Sequence, residues 1–291
     1  VEVQSVRLLT NNPDKIEKLQ ALEIAVAERV ALPAAVNAEN AVYMQTKVDR
    51  MRHLLDLNVP VSSSPRPVPD VFPRRMVRNG RCFVTLSFAQ SMDGSITVKR
   101  GQPTAISGSE SMRMTHQLRA AHQAILIGIG TALADDPQLS VRLAAGPQPQ
   151  PVVVDSQLRL PLTATLFNHE HPPWIFTTLT ASADKEAALV AQGARVLRLP
   201  AISEGKVSLT AVLDTLYDEG LKTVMVEGGA RIITSFLAAK LVDHLVVTIA
   251  PKLLGGLNAV EYLNGSGQPQ LENVRYHILG NDIVLSAAVA R

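Results

Sequence analysis

Hydrophobic and polar positions along the chain alternate with two distinct periods. Short β-branched runs closed by glycine or turn residues predict buried strands, whereas apolar residues three and four positions apart predict helices. Beyond residue 80 the predicted strands are Cys82–Ala89, Ala124–Ile129, Val152–Asp155, Ile175–Thr178, Thr223–Glu227 and His244–Ala250. The predicted helices lie near Ser109–His122, Leu209–Glu219 and Ala230–Ala239. Strands and helices that alternate in this order indicate a mostly parallel sheet with flanking helices.

Each end of the chain adds smaller elements. Near the C-terminus, Val274–Leu279 and Ile283–Ala288 flank the turn Gly-Asn-Asp, which predicts an antiparallel hairpin at an edge of the sheet. Near the N-terminus, Ser5–Leu9 predicts a strand, and Asp14–Leu22 predicts a helix after the turn TNNP. The predicted fold class is therefore α/β, with a large sheet domain preceded by a small α/β piece.

A proline-rich stretch separates these two parts. Residues 60–75, PVSSSPRPVPDVFPRR, contain five prolines and three serines, a composition that resists both helix and sheet. We therefore expect an N-terminal piece over residues 1–58, a linker over residues 59–79 and a single larger domain over residues 80–291.

Composition and charge limit the classes of partner. Lys and Arg number 28 and Asp and Glu 26, and no dense basic run is interleaved with aromatics, so we expect no nucleic-acid partner. No apolar stretch approaches the roughly 20 residues of a membrane span, so we expect no membrane partner. Cys82 is the only cysteine, which excludes an internal disulfide and a Cys-rich metal site and predicts a reducing, cytoplasmic location.

Two polar stretches follow predicted strands. The first, GIGTALADDPQLSVR (residues 128–142), is expected to be a loop, and the second, VMVEGGARIITSFL (residues 224–237), places Glu227 and two glycines between a strand and a helix. Ligands bind at this edge of open α/β sheets, and a glycine turn before a helix N-terminus suits a phosphate. Glu227 could instead be a solvated cap, but a carboxylate at the end of a buried strand favours a site.

Three further polar residues are weaker candidates. Asp93 stands in an Asp-Gly pair, which is also the commonest hairpin turn signal. Arg119 and Arg142 could each bind a phosphate or a planar base, although an exposed surface arginine is commoner than a ligand-binding one.

Metal and nucleophile chemistry have little support. Asp135 and Asp136 point to different sides and have no third ligand at suitable spacing, so one of them is expected to cap a turn. His169–His171 (HEH) lie in a Pro-flanked loop without the helical spacing that would aim both imidazoles at one ion. No GxSxG stretch occurs, and Cys82 lies in an apolar run. This pattern suits an enzyme whose cofactor performs the chemistry.

Five stretches, in order, resemble the reductase domain of the riboflavin pathway, which is often fused behind a zinc deaminase. They are TLSFAQSMDGSI, LRAAHQAILIGIGTALADDPQLSVR, PVVVDSQLRLP, MVEGGARIITSFL and LVDHLVVTIAPKLLGG. The resemblance covers about residues 80–291. It implies a dihydrofolate-reductase-like fold, NADPH as cofactor, a homodimer, and reduction of the ribose of a phosphoribosylamino-pyrimidine to a ribityl chain.

The resemblance also implies roles for individual residues. Substrate would be bound by Arg119, Leu139, Arg142 and Glu227. NADPH would be bound by Ala89, Thr131, Asp135, Ser156, Gly229, Ala230, Arg231, Ile232, Ile233, Thr234 and Ser235. Chemistry alone makes Glu227 or Asp93 the candidate for proton transfer during ribose opening. The chain departs from the family pattern at Ala105, where an aromatic is common, and at Ser95, where a basic residue is usual.

The N-terminal piece resembles a second enzyme of the same pathway. RLLTNNPDKIEKLQALEIAVAERVAL and YMQTKVDRMRHLL are similar to the carboxyl-terminal end of GTP cyclohydrolase II, in which the equivalents of Thr10 and Lys15 help to bind GTP. The cysteines that hold the zinc of that enzyme are absent here, so no metal would activate water for ring opening. Residues 1–58 are therefore interpreted as a remnant, or as the tail of a longer fusion.

Several functional hypotheses stay open at this point. The first is NADPH-dependent reduction of 5-amino-6-(5-phosphoribosylamino)uracil. The second is the same reaction on 2,5-diamino-6-ribosylamino-pyrimidinone 5′-phosphate, which differs by one exocyclic amine. The others are a non-catalytic scaffold for pathway enzymes and reduction of a different heterocycle such as a pterin.

Overall fold

The computed structural model describes residues 5–10, 12–30, 71–73, 76–78, 80–202, 205–261, 263 and 268–290. The chain divides into two compact units, Val1–Pro67 and Val68–Arg291. Most of the expected linker at 59–79 and all of the stretch YMQTKVDRMRHLL lie outside the described residues.

The N-terminal unit contains a parallel strand pair and one helix. Strand β1 (Ser5–Leu9) pairs with β2 (Ala25–Val30), and helix α1 (Pro13–Gln20) connects them. Asn12 caps α1 by accepting a hydrogen bond from the Asp14 backbone N–H at 2.9 Å. The helix ends two residues before the predicted Leu22 because a turn follows it. No residue of α1 is buried, so this unit has little core of its own in the part that the structure describes.

The larger unit is built on a nine-stranded sheet within the described residues. Its spatial order is β12-β13-β10-β3-β9-β5-β6-β7-β8. The strands are β3 (Phe83–Ser91), β5 (Ala124–Gly128), β6 (Gln150–Val154), β7 (Trp174–Thr178), β8 (Arg195–Leu199), β9 (Thr223–Val226), β10 (His244–Ala250), β12 (Leu271–Leu279) and β13 (Asp282–Val289). Strands β10 to β8 in this order are parallel, and β12 and β13 form the antiparallel pair predicted at the edge. The expected α/β class is confirmed.

Two short strands form a separate antiparallel pair beside the sheet. They are β4 (Ser95–Thr97) and β11 (Leu257–Asn258). This pair joins the turn after β3 to the segment that follows β10, so it fixes the position of two connections at one end of the sheet.

Helices cover both faces of the sheet. They are α2 (Ser109–Ala121), α3 (Ile129–Asp135), α4 (Ala183–Ala191), α5 (Leu209–Asp218) and α6 (Ala230–Ala238), with a 3₁₀ turn over Thr165–Asn168. None of the helices in the described ranges is long and apolar enough to cross a bilayer.

The structure corrects the sequence-based expectation in two places. Residues 129–135 form α3 rather than a loop, since Ala132, Leu133 and Ala134 favour a helix that ends at Asp136, whose φ is +40°. The sequence pattern also missed α4 and β8. In β8 the two arginines of RVLRL interrupt the apolar pattern, because this strand lies at the sheet edge and is only partly buried.

The core lies on both faces of the central strands. Leu126 packs with Leu213 and Phe236 on the side of α5 and α6, whereas Ile125 and Ile127 pack with Leu189 of α4 on the other side. Side chains that alternate along a strand point to opposite faces, so β5 contributes to both clusters. The continuous apolar character of this strand reflects its burial on both sides.

Candidate functional site

A crevice is expected where the order of the sheet reverses. The chain runs outward from β5 to β6, β7 and β8 and then returns to place β9 between β3 and β5. Leu86, Val226 and Leu126 lie side by side in register, and β9 ends at this level while β3 continues to Ser91 and β5 to Gly128. Ligands bind outside the carboxyl ends of strands at such a switch point.

A paired carboxylate and guanidinium lie at the end of β9. The Glu227 backbone N–H donates to the Leu126 carbonyl at 3.0 Å, which fixes the residue beside β5. Arg119 of α2 donates from Nε to Glu227 Oε1 and from Nη2 to Oε2, each at 2.8 Å. Burial lowers the pKa of Arg119, but the neighbouring Glu227 carboxylate outweighs this effect and the pKa is raised. The two side chains therefore form a charged, oriented pair, with 11% and 18% of their surfaces exposed.

The loop that contains Ser140 and Arg142 is held against α2 beside this pair. Arg119 Nη1 donates to the Ser140 carbonyl at 3.1 Å, and Arg142 Nη1 donates to Ser140 Oγ at 2.8 Å. The Arg142 backbone N–H donates to Nδ1 of the buried His116 at 3.0 Å. Burial, with the charges of Arg119 and Arg142, lowers the pKa of His116 to about 4, so this imidazole is neutral near pH 7.

Sequence reasoning missed His116. The available signal was its position three residues before Arg119 on the same helix, which places both residues on one face. Leu139, which the resemblance assigned to substrate, is instead packed in the core with 1% of its surface exposed and a φ of +58°. Its burial favours a role in shaping the loop over direct contact with a ligand.

The glycine turn after Glu227 is packed against α3. At Gly228, φ is +149° and an added Cβ would lie 2.6 Å from Ile232 Cγ2 and 3.2 Å from Thr131 Oγ1. The Gly229 backbone N–H donates to Thr131 Oγ1 at 2.9 Å. These contacts bring the two polar stretches singled out in the sequence together at one place.

The first turn of α6 begins at the glycine turn. Its N-cap residue is Gly229, which has no side chain to cap the first turn, and Thr131 Oγ1 accepts only from the Gly229 N–H itself. Free N–H groups and the positive end of the helix dipole suit a phosphate group. The residues present therefore fit the pyrophosphate of a nicotinamide dinucleotide, with Thr131 and Gly229 beside it.

The remaining residues assigned to NADPH have different environments. Arg231 and Ser235 are exposed on α6, whereas Ala230, Ile232 and Ile233 are buried. A second group lies at neighbouring strand ends: Ala89 is half-buried on β3 opposite Thr248, and Ser156 Oγ after β6 accepts from the Val207 N–H at 3.1 Å. Thr234 Oγ1 accepts from the Glu261 N–H at 2.8 Å, and Asp135 is exposed at the C-terminal end of α3.

Asp93 has a different setting, beyond the end of β3. Its carboxylate accepts hydrogen bonds from Ser91 Oγ, from Ser95 Oγ at 2.8 Å, and from the backbone N–H groups of Leu254 at 3.0 Å and Gly255 at 2.7 Å. These donors, led by Ser91, hold the pKa of Asp93 well below its usual range. A carboxylate saturated in this way anchors a turn, and it is poorly suited to exchange protons with a substrate.

The residues considered for metals are held by local contacts. Asp136 accepts from both the backbone N–H and the hydroxyl of Thr165. The His171 backbone N–H donates to His169 Nδ1 at 3.0 Å. Within the described ranges, no group of three or more His, Cys, Asp or Glu side chains could hold a metal ion.

Comparison with known families agrees with this arrangement. The RibD C-terminal domain profile matches residues 82–285, and the GTP cyclohydrolase II profile matches residues 1–31. The chain belongs to the RibD C-terminal domain family. These matches confirm the resemblance to the riboflavin-pathway reductase and, within residues 1–31, the resemblance to GTP cyclohydrolase II; the stretch YMQTKVDRMRHLL lies outside the matched residues.

Relatives within the RibD C-terminal domain family carry informative names. A protein of Debaryomyces hansenii named 2,5-diamino-6-ribosylamino-4(3H)-pyrimidinone 5′-phosphate reductase is 36% identical over 247 residues, covering 79% of this chain and 98% of the relative. A protein of the same name from Archaeoglobus fulgidus is 35% identical and covers 64% of this chain and 87% of the relative. Riboflavin biosynthesis protein RibD of Bacillus amyloliquefaciens is 35% identical, covering 72% of this chain and 58% of the relative.

Solved structures show the same fold. Acinetobacter baumannii RibD superposes with a TM-score of 0.63 at 23% identity, covering 99% of this chain and 72% of that chain. The Saccharomyces cerevisiae riboflavin biosynthesis reductase Rib7 superposes with a TM-score of 0.57 at 27% identity, covering 75% of this chain and 93% of that chain. The sheet and its flanking helices are therefore the architecture of RibD-type reductases.

Proposed function

We propose that this chain catalyses the NADPH-dependent reduction of the ribosyl group of 5-amino-6-(5-phosphoribosylamino)uracil to the ribityl product. The observation that carries the proposal is the meeting of the Arg119–Glu227 ion pair and the Gly228–Gly229 turn at one switch point of the sheet. The names of the relatives support the same reaction class.

Two parts of the crevice suit the two ligands. The turn at Gly229 and Thr131 would hold the dinucleotide, and bound NADPH supplies a hydride to C1′ of the opened ribose. Arg142 is exposed, and its guanidinium donates within its own loop, to Ser140 Oγ at 2.8 Å and to Gln138 Oε1 at 3.3 Å. Because the charge of Arg119 is balanced by Glu227, Arg142 is the better candidate for the substrate phosphate.

Glu227 is suited to stabilise positive charge on the substrate. Ribose opening would break the C1′–O4′ bond, form a double bond between C1′ and the exocyclic nitrogen, which keeps its own hydrogen, and place a proton from water on O4′. The resulting nitrogen is cationic until hydride addition to C1′ neutralises it. A carboxylate held in place by Arg119 would stabilise that charge without reorganising. Asp93, the other candidate for proton transfer, would instead hold the turn after β3 in place.

The diaminopyrimidinone is the second candidate substrate. The relatives from Debaryomyces hansenii and Archaeoglobus fulgidus are named for it, and both are matched over most of their length. The chemistry at C1′ is identical for the two compounds, so the same crevice would serve both.

The test is a spectrophotometric assay of NADPH oxidation by the purified chain with each pyrimidine. We expect oxidation that depends on one of the two substrates, and a fall of roughly 100-fold in kcat for Glu227→Gln, since the variant loses the full negative charge. NADPH binding without oxidation of either substrate would favour the scaffold instead. Oxidation that survives unchanged in Glu227→Gln would remove this residue from the mechanism.

The proposal extends to assembly, location and domain division. We propose a homodimer because Val274, Tyr276 and Ile278 on edge strand β12 and Ile283 on β13 form an exposed apolar strip. A cytoplasmic location is supported by the single cysteine. The reductase would occupy residues 80–291, the linker 59–79, and the cyclohydrolase-like remnant 1–58.

A further inference from the structure

The segment between α3 and β6 carries Arg142 on a backbone without regular structure. Residues 136–149 form neither helix nor strand. Ser140 and Val141 are nonetheless buried, and Leu139 has a φ of +58°, which is unfavourable for a residue with a side chain. Buried backbone N–H and C=O groups need hydrogen-bond partners, so this segment has to find them outside helices and strands.

Gln148 supplies both partners for the backbone of Val141. The Val141 N–H donates to Gln148 Oε1 at 2.7 Å, and the Val141 carbonyl accepts from Gln148 Nε2 at 3.0 Å. A primary amide has an acceptor oxygen and a donor nitrogen, so it can bond to a residue on both sides as a neighbouring antiparallel strand would. An ionised carboxylate at this position could accept the first bond but could not donate the second.

The chain before Gln148 turns back toward the loop. Gly146 has a φ of +141°, and an added Cβ there would lie 2.6 Å from the Ala120 Cβ, so the backbone passes close to α2. The following Pro149 favours an extended backbone at Gln148 and stiffens this connection. The sequence did not single out Gln148, because it stands in the polar and proline-rich run GPQPQP.

The two residues that flank Val141 are held by side chains of α2. The Ser140 carbonyl accepts from Arg119 Nη1 at 3.1 Å, and the Arg142 N–H donates to His116 Nδ1 at 3.0 Å. The backbone of residues 140–142 is therefore fixed by α2 at its two ends and by Gln148 in the middle.

The guanidinium of Arg142 depends on this backbone for its direction. Its hydrogen bonds to Ser140 Oγ and Gln138 Oε1 are both made within the same segment. An arginine side chain that is free in solvent samples many rotamers, and ordering it when a ligand binds lowers the affinity. A shift of the backbone at residues 140–142 would release the guanidinium from these contacts.

We propose that Gln148 is a positioning residue, which holds Arg142 in the orientation that binds the substrate phosphate. This role rests on the proposed function, and it adds a residue that sets substrate affinity without contacting the substrate. Both polar atoms of the Gln148 amide are bonded to Val141, so Gln148 acts through the backbone of the loop.

The test compares Gln148→Met, Arg142→Gln and the double variant, each in the full chain. Two quantities are measured: steady-state NADPH oxidation with each pyrimidine, and binding of ribose 5-phosphate by titration calorimetry. Methionine is as long and flexible as glutamine but cannot form the two bonds to Val141.

Gln148→Met should raise KM for the pyrimidine, and Kd for ribose 5-phosphate, about fivefold, since the loosened arginine has to be ordered when the phosphate binds. It should leave kcat and the KM for NADPH within roughly twofold of wild type, because only uniform binding of the substrate is lost. Arg142→Gln should raise the pyrimidine KM more, about 30-fold, since a charged hydrogen-bonding group is removed. The double variant should lie within about twofold of Arg142→Gln alone, because Gln148 then has no arginine to position.

Gln150→Met is the matched control. Gln150 Nε2 donates to the carbonyls of Pro151 at 3.1 Å and Pro172 at 2.7 Å, so this neighbouring glutamine binds a different segment at the start of β6. The pyrimidine KM and the ribose 5-phosphate Kd of this variant should match those of wild type.

Hydrogen exchange measured on a peptide that covers residues 138–143 reports on the loop itself. Exchange should be faster in Gln148→Met than in wild type and unchanged in Gln150→Met. If Gln148→Met does not fold, Gln148→Glu replaces it with the same expected directions, since a carboxylate cannot donate to the Val141 carbonyl.

The possible results separate the role of Gln148 from the proposed function. If a pyrimidine supports oxidation but Gln148→Met leaves its KM unchanged, or if the effects of the two substitutions multiply in the double variant, Gln148 does not act through Arg142 and only the function stands. If no pyrimidine supports oxidation but Gln148→Met weakens ribose 5-phosphate binding without adding to Arg142→Gln, Gln148 still positions Arg142 for a sugar phosphate and only the reaction is wrong. If wild type neither oxidises NADPH nor binds ribose 5-phosphate, both are wrong.

Discussion

The ends of β9 and β3 each present a carboxylate near the same edge of the sheet, yet the two acids differ in what surrounds them. Glu227 faces one guanidinium, and its backbone is fixed by β5. Asp93 faces two hydroxyl groups and two backbone N–H groups from segments on either side of it. The position of a carboxylate at a strand end therefore identifies it as a candidate site residue. The type and number of hydrogen-bond donors around it show whether it belongs to a site or holds a turn in place.

The largest effect is expected from a substitution at Gly228, in the turn that follows β9. In Gly228→Ala the new methyl group would meet Ile232 at 2.6 Å in a backbone conformation that L-residues rarely adopt. We expect a loss of about 2 kcal/mol or more in the free energy of unfolding, together with weaker NADPH binding. Denaturant unfolding and dinucleotide titration would measure both.

Gly229→Ala provides the matched control for stability. At this position φ is −82° and an added Cβ would lie 3.7 Å from Thr131 Oγ1, an ordinary contact. Its unfolding free energy should stay close to that of wild type. Equal stability of the two alanine variants would show that the turn is not as tightly packed as the structure indicates.

A second, intermediate effect concerns the neutral histidine beside the arginines. Burial lowers the pKa of His116 from 6.5 to about 4, so the folded state binds fewer protons than the unfolded state between these values. Stability is thus unaffected above pH 6.5 and falls as the pH drops from 6.5 toward 4. His116→Asn, whose amide oxygen can still accept from the Arg142 N–H, should reduce this acid sensitivity.

The measurement is the midpoint of thermal unfolding between pH 4 and pH 8 for both proteins. His122 and His244 also have pKa values lowered chiefly by burial, so wild type and variant should both lose stability in acid, the variant less steeply. If the two proteins gave parallel curves of midpoint against pH, protonation of His116 would not destabilise the fold, although Arg119 and Arg142 lie beside it.

The smallest effect on catalysis is expected from a substitution at Asp93, beyond the end of β3. Its result can be compared directly with that of Glu227→Gln. Asp93→Asn removes the same charge but should leave kcat for NADPH oxidation within roughly twofold, since this carboxylate serves only the fold. Because the folded pKa of Asp93 is depressed, its contribution to stability is present above the ordinary carboxyl range and is lost as the pH falls. The variant should therefore melt below wild type at pH 7, and the gap should close in acid. A fall in kcat as large as that of Glu227→Gln would return Asp93 to the mechanism.

Much of the fold follows from local patterns. The continuous apolar runs of β5, β6 and β9 identify strands buried on both faces, and the amphipathic spacing identifies α5 and α6. Edge elements were harder, because β8 alternates arginine with leucine and valine and so lacks a clear signal. Helix α3 was missed because Gly128 and Gly130 at its start and Asp135 and Asp136 at its end resemble a loop.

The site was only partly predictable for a different reason. Arg119 and Glu227 were each singled out, but they stand 108 positions apart and their pairing depends on the placement of α2 against the end of β9. Asp155 looked like the last residue of a strand, and its hydrogen bonds to the following loop appear only in the folded chain. Tertiary contacts of this kind have no local signature.

The position of β9 also constrains the order in which the molecule can assemble. Its four residues, Thr223–Val226, pair with β3 on one side and with β5 on the other, so these two strands have no hydrogen-bonded partner on their inner edges until a segment more than ninety residues later in the chain arrives. During synthesis, β5 to β8 can pair sequentially while the inner edge of β5 stays open. Closure of this gap is a long-range and therefore slow step. The crevice therefore forms only when β9 arrives. A nascent chain that ends before Thr223 leaves the inner edge of β5 and both edges of β3 unpaired, because β10 also comes later, and other chains could occupy these edges.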